Sequence, residues 1–499
     1  MRPDAGCLLK LSARRRADKR RVEGSRTVVG RDSYDVIVVG AGTAGLPAAI
    51  FAAARGMRVL LLEKLDRIGG TLHLATGQMS AAGTSLQRER GIQDTPDLHF
   101  ADVMRISHGT ANAELVRLAV DIAAETIEWL RANGFDFHPD CPAVVFNHEA
   151  YSVPRTYWGT NKALSILAVL ERLVRPHLES GAITLRTGTT VSRLLMDGAT
   201  RVAGVVARGA VGTESELRAR QVVLTAGGYG GNPAMFQRYE RLPLYGPLPQ
   251  PASGEVIEAA VAMGAGFRNA RNFLPSFGGI EDEPGSHRIV WTDRPVLQPQ
   301  WRKPWEIYVN RAGQRFVAED NESNDVRERA LLGQPDMLFW VVYDARIERA
   351  APPILPTFDA ERLAGRFAGH PSFTRAGTLD ELARKAGIEP AGLAASVAAY
   401  NRSVADGDDP LGRKHMPLPI LEPPFIALRN HGVAVKSAGG VDVDRRLRVR
   451  LTDGRVVENL FAGGETIGGG LLSGNAFVGG MSLTPWLGFG RLIGRDFIQ

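Results

Sequence analysis

The feature that most constrains the fold is a glycine-rich turn between a buried strand and a helix near the start of the chain. Residues 35–39 (DVIVV) form an apolar, β-branched run typical of a buried parallel strand. The turn Gly40-Ala41-Gly42-Thr43-Ala44-Gly45 follows, and LPAAIFAAARG then predicts a helix that ends at Gly56. Residues 57–62 predict a second buried strand, with Glu63 at its end. This order is typical of a dinucleotide-binding βαβ unit.

Each residue of the fingerprint has a physical role in such a unit. Gly40 allows the tight turn, Gly42 lets the backbone approach a pyrophosphate, and Gly45 permits close packing of the helix on the strand. The helix N-terminus offers unpaired N–H groups and a positive dipole end to the phosphates. Glu63 can accept hydrogen bonds from the adenosine ribose hydroxyls, and its charge would repel a 2′-phosphate.

The stretch after the second strand distinguishes FAD from NAD as the nucleotide. NAD-dependent folds usually continue there into another crossover helix, whereas FAD proteins run the chain back along the flavin. Here LDRIGGTLHLATGQMSAAGT is small, hydroxylated and rich in glycine, which suits contact with a ribityl chain and ring edge. A second glycine cluster, LFAGGETIGGGLLSGNAFVGGMSLT at 460–484, has a similar character. We predict that the two clusters meet around one FAD.

Several motifs resemble those of the fumarate reductase/succinate dehydrogenase flavoprotein superfamily, which includes tricarballylate enzymes and 3-ketosteroid Δ1-dehydrogenases. They are RQVVLTAGGYGGNP, YVNRAGQRFVAED, PPFIAL, LFAGGETIGG and a helix in ANAELVRLAVDIAAETIEWLRANGFDF. The resemblance implies an α/β fold with a Rossmann-like, glutathione-reductase-type FAD-binding domain at residues 33–268 and 437–499. An α+β cap that holds the substrate is expected as an insertion at residues 269–436. A chain of 499 residues is also too long for one compact core.

The fingerprint and the resemblance together predict the FAD-binding residues. These are Gly40, Gly42, Thr43, Ala44, Gly45, Glu63, Lys64, Gly69, Gly70, Thr71, Leu72, Thr76, Gly77, Gln78, Ala226, Gly227, Gly228, Gly464, Glu465, Gly480, Ser482 and Leu483. Glu465 resembles the acid that hydrogen-bonds the ribityl chain, and a helix from about Ser482 would direct its positive end at the flavin. Thr71 occupies the position of the flavinylated histidine of succinate dehydrogenases, with His73 two positions away, so the FAD is expected to be non-covalent.

The dicarboxylate-binding residues of the resembling enzymes have no counterparts here. The cap histidine falls near Leu274-Pro275, the proton-donating arginine at Ser323, the hinge histidine at Lys436 and the final arginine close to Phe477. A dicarboxylate would lose most of its ion pairs, and the ketosteroid tyrosine is also replaced at Phe477. The predicted pocket is mostly apolar and suits an uncharged or singly charged substrate with an activating carbonyl. Its predicted lining is Phe273, Phe277, Phe477 and Trp486.

The predicted proton-handling residues lie in a proline-punctuated loop and at the hinge. They are Tyr157, Lys436, Arg155 and Tyr151, with Arg327 and Arg329 as further candidates. Structural interpretations stay open for each: a packed turn at Tyr157, an ion pair at Lys436, and solvated arginines in the RER run. His148 and His431 are interpreted as structural or exposed.

The predicted activity is that of an FAD-dependent CH–CH oxidoreductase on a largely apolar ketone or monocarboxylate. Hydride would pass between flavin N5 and the carbon β to a carbonyl, a proton would move at the α-carbon, and the direction stays open. The alternative is an FAD-binding electron-relay subunit without its own small-molecule substrate. No second strand–GxGxxG–helix unit is present, so no NAD(P)H domain is predicted and the electron donor or acceptor is left open.

The positive charge of the chain is concentrated at its start. The net charge is +6, but residues 1–31 hold ten Arg and Lys and three Asp and Glu, a net +7. Residues 1–32 are predicted to be a basic, disordered arm or the product of an upstream start codon. Contact of this arm with nucleic acid is a third hypothesis, although no specific nucleic-acid binding is predicted. No apolar h-region follows the arginines, so no export signal is indicated.

Cysteine usage and hydropathy predict the compartment. Cys7 and Cys141 form no metal-ligand spacing, so no metal site is predicted, and a reducing, cytoplasmic setting fits best. No apolar run approaches the roughly 20 residues needed to cross a bilayer, and no membrane span is predicted.

Overall fold

The glycine-rich turn joins a strand to a helix, as predicted, within a fold of mixed strands and helices. The structure, a computed structural model, describes residues 34–145, 148–209 and 212–499; the predicted basic arm and Cys7 lie outside the described residues. The strands are β1 (Tyr34–Val39), β2 (Val59–Leu62), β3 (Met79–Ser80), β4 (Thr156–Tyr157), β5 (Ile183–Arg186), β6 (Thr190–Met196), β7 (Val202–Arg208), β8 (Glu214–Leu224), β9 (Phe267–Arg268), β10 (Ile307–Val309), β11 (Leu338–Asp344), β12 (Phe373–Ala376), β13 (Phe425–His431), β14 (Gly440–Val441), β15 (Arg448–Arg450) and β16 (Val456–Ala462). The helices are α1 (Gly45–Ala54), α2 (Ser85–Glu89), α3 (Pro96–Ile106), α4 (Ala113–Asp121), α5 (Ala123–Ala132), α6 (Leu164–Glu179), α7 (Pro233–Glu240), α8 (Glu255–Ala262), α9 (Asn324–Leu332), α10 (Ala345–Ala350), α11 (Ala360–Gly369), α12 (Leu379–Ala386), α13 (Pro390–Asp406), α14 (Gly470–Ser473) and α15 (Leu483–Leu492).

The central layer is an eight-stranded mixed sheet assembled from distant parts of the chain. Its main path runs β15–β16–β8–β1–β2–β5, with β7 joined to β8 and β6 joined to β7. Strands β16, β8, β1, β2 and β5 are mutually parallel along this path. Because β16 lies beside β8, the sheet brings both glycine clusters to the carboxyl ends of neighbouring parallel strands.

The predicted buried strands are apolar because both faces of the sheet are covered. Ile37 of β1, Leu60 of β2 and Val222 of β8 have no exposed surface. Complete burial of a side chain of this size stabilises the fold by about 1.5–3 kcal/mol. The continuous apolar runs are therefore those of parallel strands rather than the alternating pattern of a half-exposed sheet.

Helix α15 approaches the start of α1 through positions that carry no side chain. A Cβ at Gly490 would lie 2.1 Å from the carbonyl oxygen of Ala44. Within the turn that precedes α1, a Cβ at Gly45 would lie 1.8 Å from the carbonyl oxygen of Gly40. The C-terminal helix and the first helix therefore meet directly beside the glycine-rich turn.

A second sheet, antiparallel and four-stranded, forms from strands that lie between the two parts of the central sheet in the chain. Its order is β10–β11–β13–β12, and β11 pairs with β13 from Leu338↔His431 to Asp344↔Phe425. The predicted helices DELARKAG and AGLAASVAAYNRSVADG are α12 and α13. A Rossmann-like domain with an α+β cap accounts for both sheets, whereas the exact domain bounds, 33–268 with 437–499 and 269–436, stay a prediction.

The single helix expected from the ANAELVRL stretch is divided in two. Helix α4 ends at Asp121 and α5 begins at Ala123, because Ile122 has φ −93° and ψ −5°. The division lets α4 pack on α3 while both α4 and α5 pack on α15. Ile122 fills the space beside Gly488, where a Cβ would lie 2.6 Å from Ile122 Cδ1.

The described helices are short. The longest of them, α13, has 17 residues. Within the described ranges, no helix combines the length and the apolar character that a membrane crossing requires.

Candidate active site

A cavity of about 560 Å³ lies at the carboxyl ends of the parallel strands. Its walls come from the turn after β1, the segment after β2, the residues after β8 and β16, and the start of α15. The two glycine clusters therefore meet at one cavity. Open α/β sheets bind their ligands at this edge.

Most of the predicted cofactor residues line this cavity. They are Gly40, Gly42, Thr43, Ala44, Glu63, Lys64, Gly70, Thr71, Thr76, Gly77, Gln78, Ala226, Gly227, Gly464, Glu465, Gly480, Ser482 and Leu483. Gly45, Gly69, Leu72 and Gly228 are not part of the lining and support it from behind. Leu72 is fully buried, and a Cβ at Gly228 would lie 2.0 Å from Ser437 Oγ.

The end of β2 and the start of α1 form one side of the cavity. Glu63 Oε2 accepts a hydrogen bond from the Ala41 N–H at 2.8 Å, and Oε1 accepts one from the Leu65 N–H at 2.9 Å. Helix α1 begins without a side-chain cap, and its positive dipole end lies at the cavity beside Thr43 and Ala44. A Cβ at Gly42 would meet nothing within 4 Å. These features fit the ribose and pyrophosphate of a dinucleotide.

The C-terminal cluster forms the adjoining part of the wall, where a Cβ at Gly464 would lie 3.3 Å from Ala44 Cβ. Glu465 Oε1 accepts hydrogen bonds from the N–H of Ser437 at 2.8 Å and from its hydroxyl at 2.9 Å. Burial raises the pKa of Glu465, and these two bonds and the charge of Lys436 oppose the rise. Helix α15 begins after Ser482 without a side-chain cap, and its positive dipole end lies at the cavity beside Ser482 and Leu483. This end suits the flavin edge that gains negative charge on reduction.

Two further segments of the wall carry no sequence motif and were missed by the sequence analysis. They are residues 189–191 and parts of residues 247–256. The N–H of Thr189 donates to the carbonyl of Glu63 at 2.9 Å. Lys64 Nζ donates to Glu255 Oε1 at 2.8 Å, which ties the second segment to the end of β2. Only the tertiary structure places these segments at the cavity.

Thr71 and His73 are the residues at which a covalent flavin bond would be sought. Thr71 lines the cavity, and a threonine has no imidazole nitrogen for a flavin bond. The His73 ring nitrogen Nε2 lies 3.0 Å from the Ile68 carbonyl oxygen, and His73 is not part of the lining. The residues at this position therefore fit a non-covalent cofactor.

The chain matches the FAD binding domain family over residues 35–483. This range includes both glycine clusters and everything between them. The chain belongs to the FAD binding domain family. FAD is therefore the cofactor, and we propose that this cavity binds it; the resemblance to the fumarate reductase/succinate dehydrogenase superfamily is confirmed.

Relatives of this FAD-binding chain differ in the molecules that their names mention. The probable fumarate reductase Ifc3 of Shewanella frigidimarina is 27% identical over 93% of this chain and 75% of that protein. The vinyl phenol reductase of Lactiplantibacillus plantarum is 26% identical over 90% of this chain and 93% of that protein. The structure of 3-ketosteroid-Δ4-(5α)-dehydrogenase from Rhodococcus jostii RHA1 has a TM-score of 0.67 and 25% identity, covering 95% of this chain and 99% of that one. The chain is an FAD-dependent oxidoreductase of the CH–CH class to which these enzymes belong.

Lys436 is the predicted proton-handling residue that lies at the FAD cavity. Its Nζ is 3.4 Å from Ser473 Oγ and 3.5 Å from the Gly469 carbonyl oxygen, both long for hydrogen bonds. Burial lowers the pKa of Lys436 to about 8, and Glu465 opposes this shift. Lys436 is thus poised to change charge near neutral pH.

His148 and Phe477 form a stacked pair in the wall beside Lys436. Their ring centroids are 3.7 Å apart, with planes inclined by 25°, and both rings line the cavity. Burial and the charges of Lys436 and Arg294 lower the pKa of His148 to about 3. The sequence interpretation of His148 as merely structural or exposed missed its position, because no local motif marks it.

Arg294 is a second cation at the cavity, and sequence reasoning did not select it. Its Nε donates to the Gly278 carbonyl at 2.7 Å and one terminal nitrogen donates to the Phe277 carbonyl at 2.8 Å. Its guanidinium lies 4.3 Å from the centroid of the Trp291 ring. Burial lowers the pKa of Arg294 to about 10, so the group stays charged at neutral pH.

Aromatic side chains surround these cations. Trp486 and Phe477 line the cavity as predicted. Trp291 and Trp301 also line it and are 45% and 64% exposed, which places them at its mouth.

Tyr157 and Arg155 do not line the cavity, contrary to what the loop composition suggests. Tyr157 pairs with Met79 in the β3–β4 ribbon, has no exposed surface, and its hydroxyl is 2.6 Å from Thr84 Oγ1. Burial raises its pKa. Arg155 is buried between Asp94 at 2.9 Å and Asp102 at 3.2 Å. Both side chains belong to the packed interior beneath the cofactor loop.

Tyr151 lies between this interior and the cavity. Its hydroxyl donates to the carbonyl of Gly479, the neighbour of the lining residue Gly480. The guanidinium of Arg155 is 5.1 Å from its ring centroid, and burial raises the pKa of Tyr151. Tyr151 therefore holds the glycine loop, rather than reaching a substrate.

The remaining candidates are engaged elsewhere. Arg327 is fully buried and donates to the Leu297 carbonyl at 2.9 Å, and Arg329 pairs with Asp325 at 2.6 Å. Phe277 packs on Tyr308 and Phe339 in the cap. Phe273, the last of the predicted lining residues, faces a smaller chamber next to the cavity.

Proposed function

We propose that this enzyme oxidises or reduces a Cα–Cβ bond next to the carbonyl of a largely apolar ketone or monocarboxylate. The observation that carries the proposal is a pair of cations, Lys436 and Arg294, in an FAD cavity that Phe477, Trp486, Trp291 and Trp301 also line. Among the described residues, no carboxylate lies within ion-pair distance of either cation. Both cations are partly removed from water, where a charge is costly unless it is paired, so a substrate oxygen would supply the counter-charge.

The two cations have different roles in the proposed reaction. FAD bound in the cavity would accept or supply the hydride. Lys436 would move the proton at the α-carbon, because its lowered pKa lets it act as acid or base near neutral pH. Arg294, held rigidly by two carbonyl groups, would donate to the carbonyl oxygen and stabilise the developing enolate charge.

The replaced residues support a substrate with fewer charges than a dicarboxylate. Ser323, at the position of the proton-donating arginine, accepts from the Val326 N–H at 3.1 Å and caps α9. Phe477, close to the position of the final arginine, is stacked on His148 and offers no charge. The relatives named for vinyl phenol and a ketosteroid also support a substrate with fewer charges than a dicarboxylate.

The proposal is tested by following flavin absorbance under anaerobic conditions with a panel of ketones, enones, monocarboxylates and dicarboxylates. At least one ketone, enone or monocarboxylate is expected to reduce or reoxidise the flavin faster than any dicarboxylate does. The Arg294→Gln variant is expected to slow this step about 10²-fold or more, as for other lost oxyanion donors. Arg384→Gln, at an exposed ion pair on α12, serves as the control.

Two outcomes would contradict the proposal. One is a flavin that responds only to dicarboxylates. The other is a flavin that responds to no member of the panel but exchanges electrons with a protein partner, which would favour an electron-relay subunit.

A further inference from the structure

A small side chamber of about 50 Å³ adjoins the FAD cavity. His148, Lys436 and Phe477 line both spaces, so these side chains form the boundary between them. The chamber reaches Glu328 on α9 at its other wall. It therefore links the proposed proton-handling lysine to a carboxyl group that does not line the FAD cavity.

Glu328 is the acidic residue of this chamber, and its surroundings keep it protonated. It is 4% exposed, and among the described residues no cation lies within ion-pair distance of its carboxyl. Burial raises the pKa of Glu328 to about 8; Asp325 adds to the rise, while Arg327, Arg294 and the Phe277 backbone oppose it. A buried carboxyl without an ion pair is costly and needs an explanation.

The chamber has room and polar partners for water. A buried water needs about 10–15 Å³ of such space, so a chamber of about 50 Å³ can hold more than one. Glu328, Lys436, Asn272 and Ser276 supply donors and acceptors along its wall. His148 cannot hold the proton itself, because its pKa is lowered to about 3.

We propose that Glu328 is the proton reservoir for Lys436 and exchanges protons with it through water in the side chamber. This inference rests on the proposed function of the same site. In reduction, reduced FAD would supply the hydride that Cβ accepts, while one N–H bond of Lys436 breaks and a C–H bond forms at Cα. The neutral amine then takes the proton that leaves Glu328, and solvent reprotonates the carboxylate. In desaturation each transfer runs in reverse.

The Glu328→Gln variant separates this role from a structural one. The glutamine keeps the size of the side chain but cannot release a proton. A single turnover, which needs only the proton already on Lys436, is expected to keep its wild-type rate. Repeated turnover is expected to slow by at least tenfold, with a larger solvent isotope effect, and Glu328→Asp is expected to restore part of it.

The rates of single and repeated turnover are also measured for a control variant at an exposed glutamate. Glu322→Gln, at an exposed position just before α9, is expected to leave both rates unchanged. If Glu328→Gln keeps the wild-type rate of repeated turnover, or slows the single turnover equally, the reservoir role is wrong.

An infrared measurement tests the inference without any substrate. The oxidised holoenzyme at neutral pH is expected to show a protonated carboxyl band that disappears in Glu328→Gln. Glu240→Gln identifies the band of Glu240, a partly buried carboxyl whose pKa is raised to about 7. Absence of a Glu328 band overturns the reservoir even if the proposed reaction is found, whereas its presence without turnover on any panel member points to failure of the proposed function alone.

Discussion

At the scale of single residues, the properties of Lys436 come from its surroundings rather than from its type. A lysine in water is protonated at all physiological pH values. Here burial lowers the pKa to about 8, and the nearest hydrogen-bond acceptors are 3.4 and 3.5 Å away. Near pH 8 the amine at the wall of the FAD cavity can therefore lose or gain a proton with little change in free energy.

The pH dependence of the half-reaction follows from this pKa. Below about pH 8 Lys436 carries the proton that reduction requires, so the rate of substrate reduction is expected to fall as the pH rises through about 8. The rate of desaturation is expected to rise over the same range, because it needs the neutral amine. Stopped-flow measurement of flavin absorbance against pH checks both directions.

The Lys436→Gln variant is expected to lose this pH dependence and to react about 10²–10⁴-fold more slowly, the usual contribution of a positioned acid or base. Lys385→Gln, at an exposed ion pair on α12, is the control and is expected to match the wild type. A pH profile that persists unchanged in Lys436→Gln would assign the proton transfer to another group.

At the scale of elements, the contact of α15 with α1 couples the two ends of the chain. The Cβ-free position at Gly490 lets the backbones approach at Ala44, which itself lines the FAD cavity. The N-termini of both helices are directed at the cavity without side-chain caps. Their relative position therefore decides whether both helix dipoles act on one cofactor.

The Gly490→Val variant is expected to separate the two helices, because its Cβ would lie 2.1 Å from the Ala44 carbonyl oxygen. Overpacking of this kind costs about 1–3 kcal/mol of stability, and FAD affinity should fall as well. Gly365→Ala on the exposed side of α11 meets nothing within 4 Å and is expected to raise the free energy of unfolding by about 0.5–1 kcal/mol. Denaturant unfolding and fluorescence titration with FAD measure both quantities, and equal stability of the two variants would contradict the close contact.

At the scale of the whole molecule, FAD connects parts of the chain that are far apart in sequence. The cavity is lined by Gly40 and Glu63 from the first part of the chain and by Glu465 and Leu483 from the last part. A ligand that binds only the folded state stabilises that state by mass action. Cofactor binding and folding of the central sheet are therefore expected to be coupled.

Addition of FAD to the apoprotein is expected to raise the unfolding midpoint. At a concentration of 100 times Kd the stabilisation is about 2.7 kcal/mol, and it is measured by thermal unfolding with and without FAD. Glu63→Gln removes the charge that is held by the Ala41 and Leu65 amides and is expected to need more FAD for the same shift. An unchanged midpoint with saturating FAD would contradict the assignment of the cavity.

The cofactor half of the site could be predicted from the sequence because its signals are local. The turn at Gly40–Gly45 has a required spacing, and the acid after β2 follows at a set distance, since a strand, a tight turn and a helix leave little freedom. The C-terminal cluster was predicted instead from its resemblance to a flavoprotein superfamily, at Glu465 and at the helix start near Ser482, and both residues line the cavity. The FAD-binding fold and the enzyme class followed from these motifs.

The substrate half could not be predicted in this way, and Tyr157 illustrates the reason. Its loop, with prolines, a tyrosine and an arginine, has the composition of an exposed site, yet strand pairing with Met79 buries the ring. Conversely, Arg294 and His148 lie in segments without any motif and reach the cavity through the tertiary packing of the chain. Nothing within a few residues of either position encodes that arrangement.

The sequence by itself determined that the chain binds FAD through its two ends, because backbone turns and helix termini are specified by neighbouring residues. Only the tertiary structure decided which charged side chains face the substrate space and which are buried in ion pairs. Lys436 and Arg294 differ from Arg155 in this respect: among the described residues no carboxylate lies within ion-pair distance of the first two, whereas Asp94 and Asp102 lie against the third. That difference depends on long-range packing, which brings together residues that share no local pattern.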